Sequence, residues 1–170
     1  EEACREVIKR LMNIPNPTKE DVNQIKIQVT AIYNLENIPS NSELIRCLRP
    51  TEKRRLLFLL RRKTVRTISG VTVVAVMTKP WPCPKTSPCV YCPGGPPYGV
   101  PQSYTGYEPA AMRGIQSSFD PYAQVKNRIA QLEAIGHRVD KAEIIVMGGT
   151  FPAMPSDYQE YFIQGCLDAL

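Results

Sequence analysis

Apolar residues recur every three or four positions along the first part of the chain, and that helical period gives way to two short β-prone runs further on. Ala3, Val7, Ile8, Leu11 and Met12 fall on one stripe over residues 1–13, which Pro15 and Pro17 close. Thr18 with Asp21 three residues later predicts a capped second helix running to about Asn37, with Val22, Ile25, Val29 and Ile32 as its buried face. Ser40 and Glu43 have capping-box spacing and open a short third helix to about Leu48. Residues 51–63 read as a fourth helix, apolar in the middle and basic at both ends.

The period changes at Val65. Residues 71–77 are almost continuously apolar and β-branched, the pattern of a strand covered on both faces in a parallel sheet. Residues 93–118 carry five glycines and three tyrosines and read as a long irregular segment. Asp120-Pro121 opens a helix with Tyr122, Val125, Ile129 and Leu132 on its buried stripe, and Gly136 stops it. Residues 143–147 form a second buried strand ended by Gly148-Gly149, and Ser156 with Gln159 has the spacing to cap a last helix. From residue 71 the order is strand, helix, strand, helix, which calls for a parallel α/β sheet or barrel with its chemistry at the strands' C-terminal ends. Two parallel strands neither close a barrel nor stand alone as a sheet. With Glu rather than Met at position 1, the chain reads as a piece of a longer protein.

Charge sharpens this division. The net charge is +5, and residues 1–66 hold 14 Lys and Arg against 8 Asp and Glu while the remainder is close to neutral. The excess gathers in Lys53, Arg54, Arg55, Arg61, Arg62, Lys63 and Arg66, a polyanion-facing candidate against the commoner fate of a solvated helix face. Residues 1–66 are therefore taken as a helical, basic segment and 67–170 as an α/β module. The longest apolar run, residues 56–60, is far below the roughly 18 residues of a membrane span. The chain reads as soluble and cytoplasmic.

Three of the six cysteines cluster as Cys83, Cys89 and Cys92, while Cys4, Cys47 and Cys166 lie apart and read as buried small hydrophobes. Prolines at 80, 82, 84, 88 and 93 make the cluster a stiff loop following the first strand. Structural zinc needs four ligands, and neither His137 nor Cys166 has the paired spacing of a zinc knuckle. His137, just past a helix-stopping glycine, reads as a surface or cap residue. Three thiolates can also hold a four-iron cluster with one iron open, as a catalytic centre needs, so the spacing favours a cluster over zinc without excluding zinc. Tyr91 offers an aromatic face to a planar cofactor, and Gly148-Gly149 lets a ligand approach backbone closely. Glu108 and Arg113 serve equally as orienting groups or as a structural ion pair.

The motifs Cys83…Cys89-Val90-Tyr91-Cys92-Pro93-Gly94-Gly95, then residues 102–109 (QSYTGYEP) and residues 146–151 (VMGGTF), closely resemble the Elp3 family, the catalytic subunit of Elongator. Residues 64–70 and 74–77 are similar to that family's lead-in. The resemblance implies a partial TIM-like radical S-adenosylmethionine (SAM) barrel, here its first two βα units, behind an N-terminal tRNA-contacting segment. It implies Cys83, Cys89 and Cys92 as ligands of a 4Fe-4S cluster, Tyr91 near the adenine of SAM, and Gly148 and Gly149 as the backbone receiving its amino group. The implied activity is carboxymethylation of the tRNA wobble uridine at C5, with carbons from acetyl-CoA. Its implied partners are tRNA and either other Elongator-type subunits or a second copy of the chain. The competing reading is a zinc-stabilised, non-enzymatic RNA-binding module. The five-residue gap between Cys83 and Cys89 is wider than the three common in radical SAM enzymes, and Thr150 stands where many carry Glu. The family's acetyl-CoA-binding, acetyltransferase-like domain is absent from these residues.

Overall fold

In the computed structural model, which describes all 170 residues, the four amphipathic stripes become α1 (Glu2–Met12), α2 (Lys19–Ile32), α3 (Asn41–Cys47) and α4 (Pro50–Leu60). Two are capped as the residue order dictates. The Thr18 hydroxyl accepts from the Asp21 N–H at 3.2 Å while Asp21 accepts from the Thr18 N–H at 2.7 Å, and Ser40 with Glu43 repeats the exchange. Val7, Ile8 and Leu11 of α1, Val22 and Val29 of α2, Leu44 of α3, and Leu56 and Leu60 of α4 share one core. With residues 131–138 these helices make one compact unit, Glu1–Ser69 plus Gln131–Arg138, and Gly70–Ala130 plus Val139–Leu170 make a second.

Two helices end earlier than expected. α2 stops at Ile32 rather than Asn37, because Asn34 adopts φ 48°, a left-handed conformation asparagine tolerates. The Leu35 N–H then closes on the Thr30 carbonyl at 3.0 Å. α4 stops at Leu60 rather than Lys63, since Arg61 is extended and Lys63 sits at φ 55°. A short 3₁₀ turn, Thr64–Thr67, follows.

His137 corrects the surface expectation. It is 4% exposed, with Nε2 2.9 Å from the Arg62 carbonyl and Nδ1 2.8 Å from the Thr67 hydroxyl. A carbonyl only accepts, so Nε2 carries a proton, and in the neutral ring Thr67 donates to Nδ1.

In the second unit β1 (Thr72–Met77) and β2 (Ala142–Met147) pair in parallel, Val74 opposite Ile144 and Val76 opposite Val146. The face carrying Val74 and Val76 packs on Val125 of α6 (Pro121–Ala134) and on Phe162 and Cys166 of α7 (Ser156–Asp168). The other face is not covered throughout, as two fully buried strands would require. Met77 lies under Ala110 and Ala111 of α5 (Pro109–Gln116), whereas Val73 and Ile145 are 46% and 41% exposed.

Helix α5 itself stands inside the segment expected to be irregular. Pro109 supplies its first helical residue, and the Glu108 carboxylate accepts from the N–H groups of Thr105 and Gly106 at 2.9 and 3.0 Å. Glu108 is thus turned back on its own loop. On α6 Gln124 is buried along with Val125 and Leu132, whereas Tyr122 is exposed. Gln124 Oε1 accepts from the Met77 N–H at 2.8 Å and Nε2 donates to the Met77 carbonyl at 2.9 Å. A strand edge must satisfy these groups when buried, and the Gln124 amide satisfies both. The expected Ser156 capping box does not form. Asp157 caps its own neighbour, accepting from the Tyr158 N–H, and the Gln159 amide donates to the Met154 carbonyl at 2.7 Å. No helix is long and apolar enough to cross a membrane.

Candidate cysteine-loop site

The chain leaves β1 at Met77 and is pinned immediately. The Thr78 N–H donates to the Met147 carbonyl at 2.8 Å, and the Lys79 N–H donates to the Tyr158 hydroxyl at 2.9 Å. The Lys79 ammonium lies over the Tyr158 ring, 4.3 Å from its centroid. From this anchor the proline-rich loop carries all three clustered cysteines, each half-buried and free of disulfides.

Cys89 and Cys92 share one turn, the Cys92 N–H donating to the Cys89 carbonyl at 2.9 Å. The Lys85 ammonium donates to Cys89 Sγ at 3.3 Å, and that bond, followed by one from Tyr91, holds the Cys89 thiol below its ordinary pKa. Cys92 is lowered too, by the Gly94 backbone first, then by the Ser103 hydroxyl and the Gln102 amide. Lys85 is raised in turn, first by Cys89 and then by charge on Tyr91 and Cys83. Cys89 and Cys83 therefore both act on one lysine, but no three Cys, His, Asp or Glu side chains are arranged as metal ligands. Charge on Cys92 opposes ionisation of Cys89, and bringing a third thiolate in needs a cation to offset that repulsion.

The donor chemistry fits a soft metal cluster. All three donors are free thiols on one loop, and two are held toward the thiolate form that binds metal. Tyr91 is 87% exposed beside them. Gly148 follows β2 at φ 153°, where a Cβ would stand 2.1 Å from Thr78 Oγ1, and Gly149 abuts Gln102 with 2.9 Å between the two Cβ positions. Gln102 also donates from Nε2 to Cys92 Sγ at 2.9 Å. The cysteine turn and the glycine pair, some 55 residues apart in sequence, thus meet on opposite sides of one glutamine.

The basic residues sort into two kinds. Arg55 is a structural clasp, its guanidinium donating to the carbonyls of Met12 at 2.9 Å, of Ile14, and of Pro15 at 2.8 Å. Arg61 donates to the Gly136 carbonyl at 2.9 Å. Lys53, Arg54, Arg62, Lys63 and Arg66 are exposed, interleaved with exposed Phe58, Val65 and Ile68. Arg62 and Lys63 also line a hollow of roughly 270 Å³ with Lys19, Asn23 and Asn41.

The family described as ELP3 N-terminal domain matches residues 1–68. The chain is 53% identical over 156 residues to a tRNA uridine(34) acetyltransferase of Methanocaldococcus infernus, covering 89% of this chain and 29% of that protein. It is 49% identical over 172 residues to the tRNA uridine(34) acetyltransferase of Methanocaldococcus jannaschii, covering 96% and 32%. To the Elongator complex protein 3 of Bos taurus it is 47% identical over 174 residues, covering 97% and 32%. The chain belongs to the Elp3 family. It spans about a third of the length of these relatives. The matched family domain contains all four N-terminal helices and the exposed basic residues, and the longer alignments run on through the cysteine loop and the glycine pair.

Among the residues of this candidate site, the sequence gives no sign of the parts played by Lys85 and Gln102. A lysine in a loop and a glutamine after a proline carry no spacing signal, and both earn their place only through the side chains they meet in the fold.

Proposed function

We propose that this chain is the tRNA-binding and cofactor-binding part of an enzyme that carboxymethylates the wobble uridine of tRNA at C5 in the cytoplasm. The observation that carries the reading is the Cys89–Cys92 turn, with both thiols lowered and Gln102 joining it to Gly149. The names of the relatives, which are tRNA uridine(34) acetyltransferases and Elongator complex protein 3, support the substrate class. On this reading β1, α6, β2 and α7 are the first two βα units of a TIM-like barrel, and the exposed Val73–Ile145 face is its interior.

Cys83, Cys89 and Cys92 would hold a 4Fe-4S cluster that, when bound, supplies the electron for reductive cleavage of SAM. Gly148 and Gly149 leave backbone open to the amino group of SAM, and Tyr91 presents its ring to the adenine. Lys85 offsets negative charge on the thiolates. Lys53, Arg54, Arg62, Lys63 and Arg66 meet tRNA phosphates, and Phe58, Val65 and Ile68 supply apolar surface between them. Acetyl-CoA would be taken by a domain outside these residues.

Anaerobic reconstitution of the full-length protein with iron and sulfide tests the reading. Equal uptake of iron and sulfide, with SAM converted to 5′-deoxyadenosine on reduction, is expected. Stoichiometric zinc binding with neither of these results would leave the zinc-stabilised RNA-binding module instead.

For the basic face, reversing Arg54 and Arg62 together to Glu is expected to weaken binding uniformly across tRNAs. The slope of log K against log salt should flatten by about two, one for each phosphate no longer neutralised. Unchanged affinity at low salt would place the tRNA elsewhere.

A further inference from the structure

Gln102 has no assigned role in the chemistry above, yet its amide meets Cys92 and its Cβ meets Gly149. Its segment folds back over the cysteine turn. The Ser103 N–H donates to the Gly94 carbonyl at 2.8 Å, and the Val100 N–H donates to the Gly95 carbonyl at 3.3 Å. The Pro101 carbonyl oxygen sits 2.2 Å from where a Cβ on Gly95 would stand, so only glycine admits this approach. Ser103, forced to φ 72° by the same fold, turns its hydroxyl to within 3.6 Å of Cys92 Sγ. The Gln102 amide is therefore set by the backbone on both sides of it. Its Nε2 lies 2.9 Å from Cys92 Sγ, and its Cβ rests against Gly149. A thiolate can only accept, so the amide presents its N–H to sulfur. Being neutral, it does so at any working pH.

We propose that Gln102 is a positioning residue of this site, whose N–H orients the Cys92 sulfur and raises the reduction potential of a cluster bound through it. The inference rests on the cluster reading proposed above. A hydrogen bond to a ligating sulfur stabilises the electron-richer, reduced cluster more than the oxidised one, so it shifts the potential upward. Gly149 acts as the wall that keeps the amide in place, which couples the SAM-facing glycine pair to the cysteine turn through a single side chain.

The test is the potential of the reconstituted full-length protein, measured by spectroelectrochemistry without SAM. Gln102→Leu keeps the bulk against Gly149 and removes the donor. The expected result is wild-type iron and sulfide content, with the one-electron reduction equilibrium about tenfold less favourable, a shift of about 59 mV to more negative potential. Cluster content and potential both equal to wild type would overturn the role. Gly149→Ala supplies an independent arm, because its Cβ would stand 2.9 Å from Gln102 Cβ and push the amide off sulfur. If Gln102→Leu does not hold the cluster, a negative shift in Gly149→Ala supports the role, and a wild-type potential there overturns it. Loss of the cluster in both variants would make Gln102 a structural wall only and overturn the tuning. A wild-type protein that takes up no cluster would fail the parent reading as well. A wild-type cluster with an unmoved variant potential fails this inference alone.

Discussion

Replacing Gly95 with Ala is expected to destabilise the second unit by about 3 kcal/mol and to release the loop that closes on Cys92. The position is at φ 136°, where an L side chain is strained. Its Cβ would also stand 2.2 Å from the Pro101 carbonyl oxygen and 2.7 Å from Gln102 Cα. Both obstacles are backbone and cannot rotate away, so residues 100–103 must move as a piece. That movement breaks the bonds from Val100 and Ser103 to the Gly95 and Gly94 carbonyls and draws Gln102 off the sulfur. Urea unfolding would report the destabilisation, and limited proteolysis would show new cleavage around residues 99–104. Gly70→Ala is the control. At φ 79° it carries the same kind of backbone strain with nothing within 4 Å of the added carbon, so it should cost only about 1 kcal/mol. Equal effects at the two glycines would show that the close packing of residues 100–103 on Gly95 adds nothing.

Arg5→Ala is expected to cost the N-terminal unit about 2 kcal/mol, below the range for a fully buried ion pair because the Arg5 side chain is 30% exposed. Arg5 grips Glu52 through two bonds of 2.8 Å and donates a third to the Cys47 carbonyl. Glu52 also accepts from the Arg49 N–H at 2.7 Å, which opens α4. One carboxylate therefore joins α1 to the start of α4, with its side chain 11% exposed. The Arg5 bond, strengthened by the Arg49 N–H, holds Glu52 down at about 2. The unfolded value is near 4.3, so the folded state binds the proton more weakly. The resulting stability is complete above about pH 5 and disappears as the pH falls through 4 toward 2, amounting to about 2 kcal/mol after screening. The acid limb of a thermal-melt series should flatten in Arg5→Ala. Arg5→Leu combined with Glu52→Leu should recover much of the stability, because no uncompensated charge is then left in the core. A wild-type melting temperature in Arg5→Ala would show that Glu52 is satisfied by Arg49 alone.

The distribution of structure between sequence and packing is uneven. Helical stripes, the Thr18 and Ser40 caps and the two strands were legible, because period and cap chemistry act within a few residues and carry their own signal. The cysteine loop was legible as a proline-stiffened cluster for the same reason, three free thiols within ten residues. What could not be read locally concerned partners distant along the chain. Gln124 is buried because its amide pairs with both the N–H and the carbonyl of Met77, 47 residues away, while Tyr122 stays exposed. His137 is drawn inward by Thr67 and the Arg62 carbonyl, 70 and 75 residues away. Arg55 and Arg61 look like their basic neighbours in the sequence, yet they are spent on carbonyls.

By itself the sequence determined the helical N-terminal segment, the strand–helix–strand–helix order and the chemical character of the cysteine loop, since each rests on local period, capping or residue type. Only the tertiary structure decided that Gln102 stands between Cys92 and Gly149, and that Lys85 turns its ammonium onto Cys89. Those positions follow from backbone closure across a long loop, in which glycines at 94, 95 and 149 let chains approach more closely than any side chain would allow. No residue pattern records such an approach before the chain has folded.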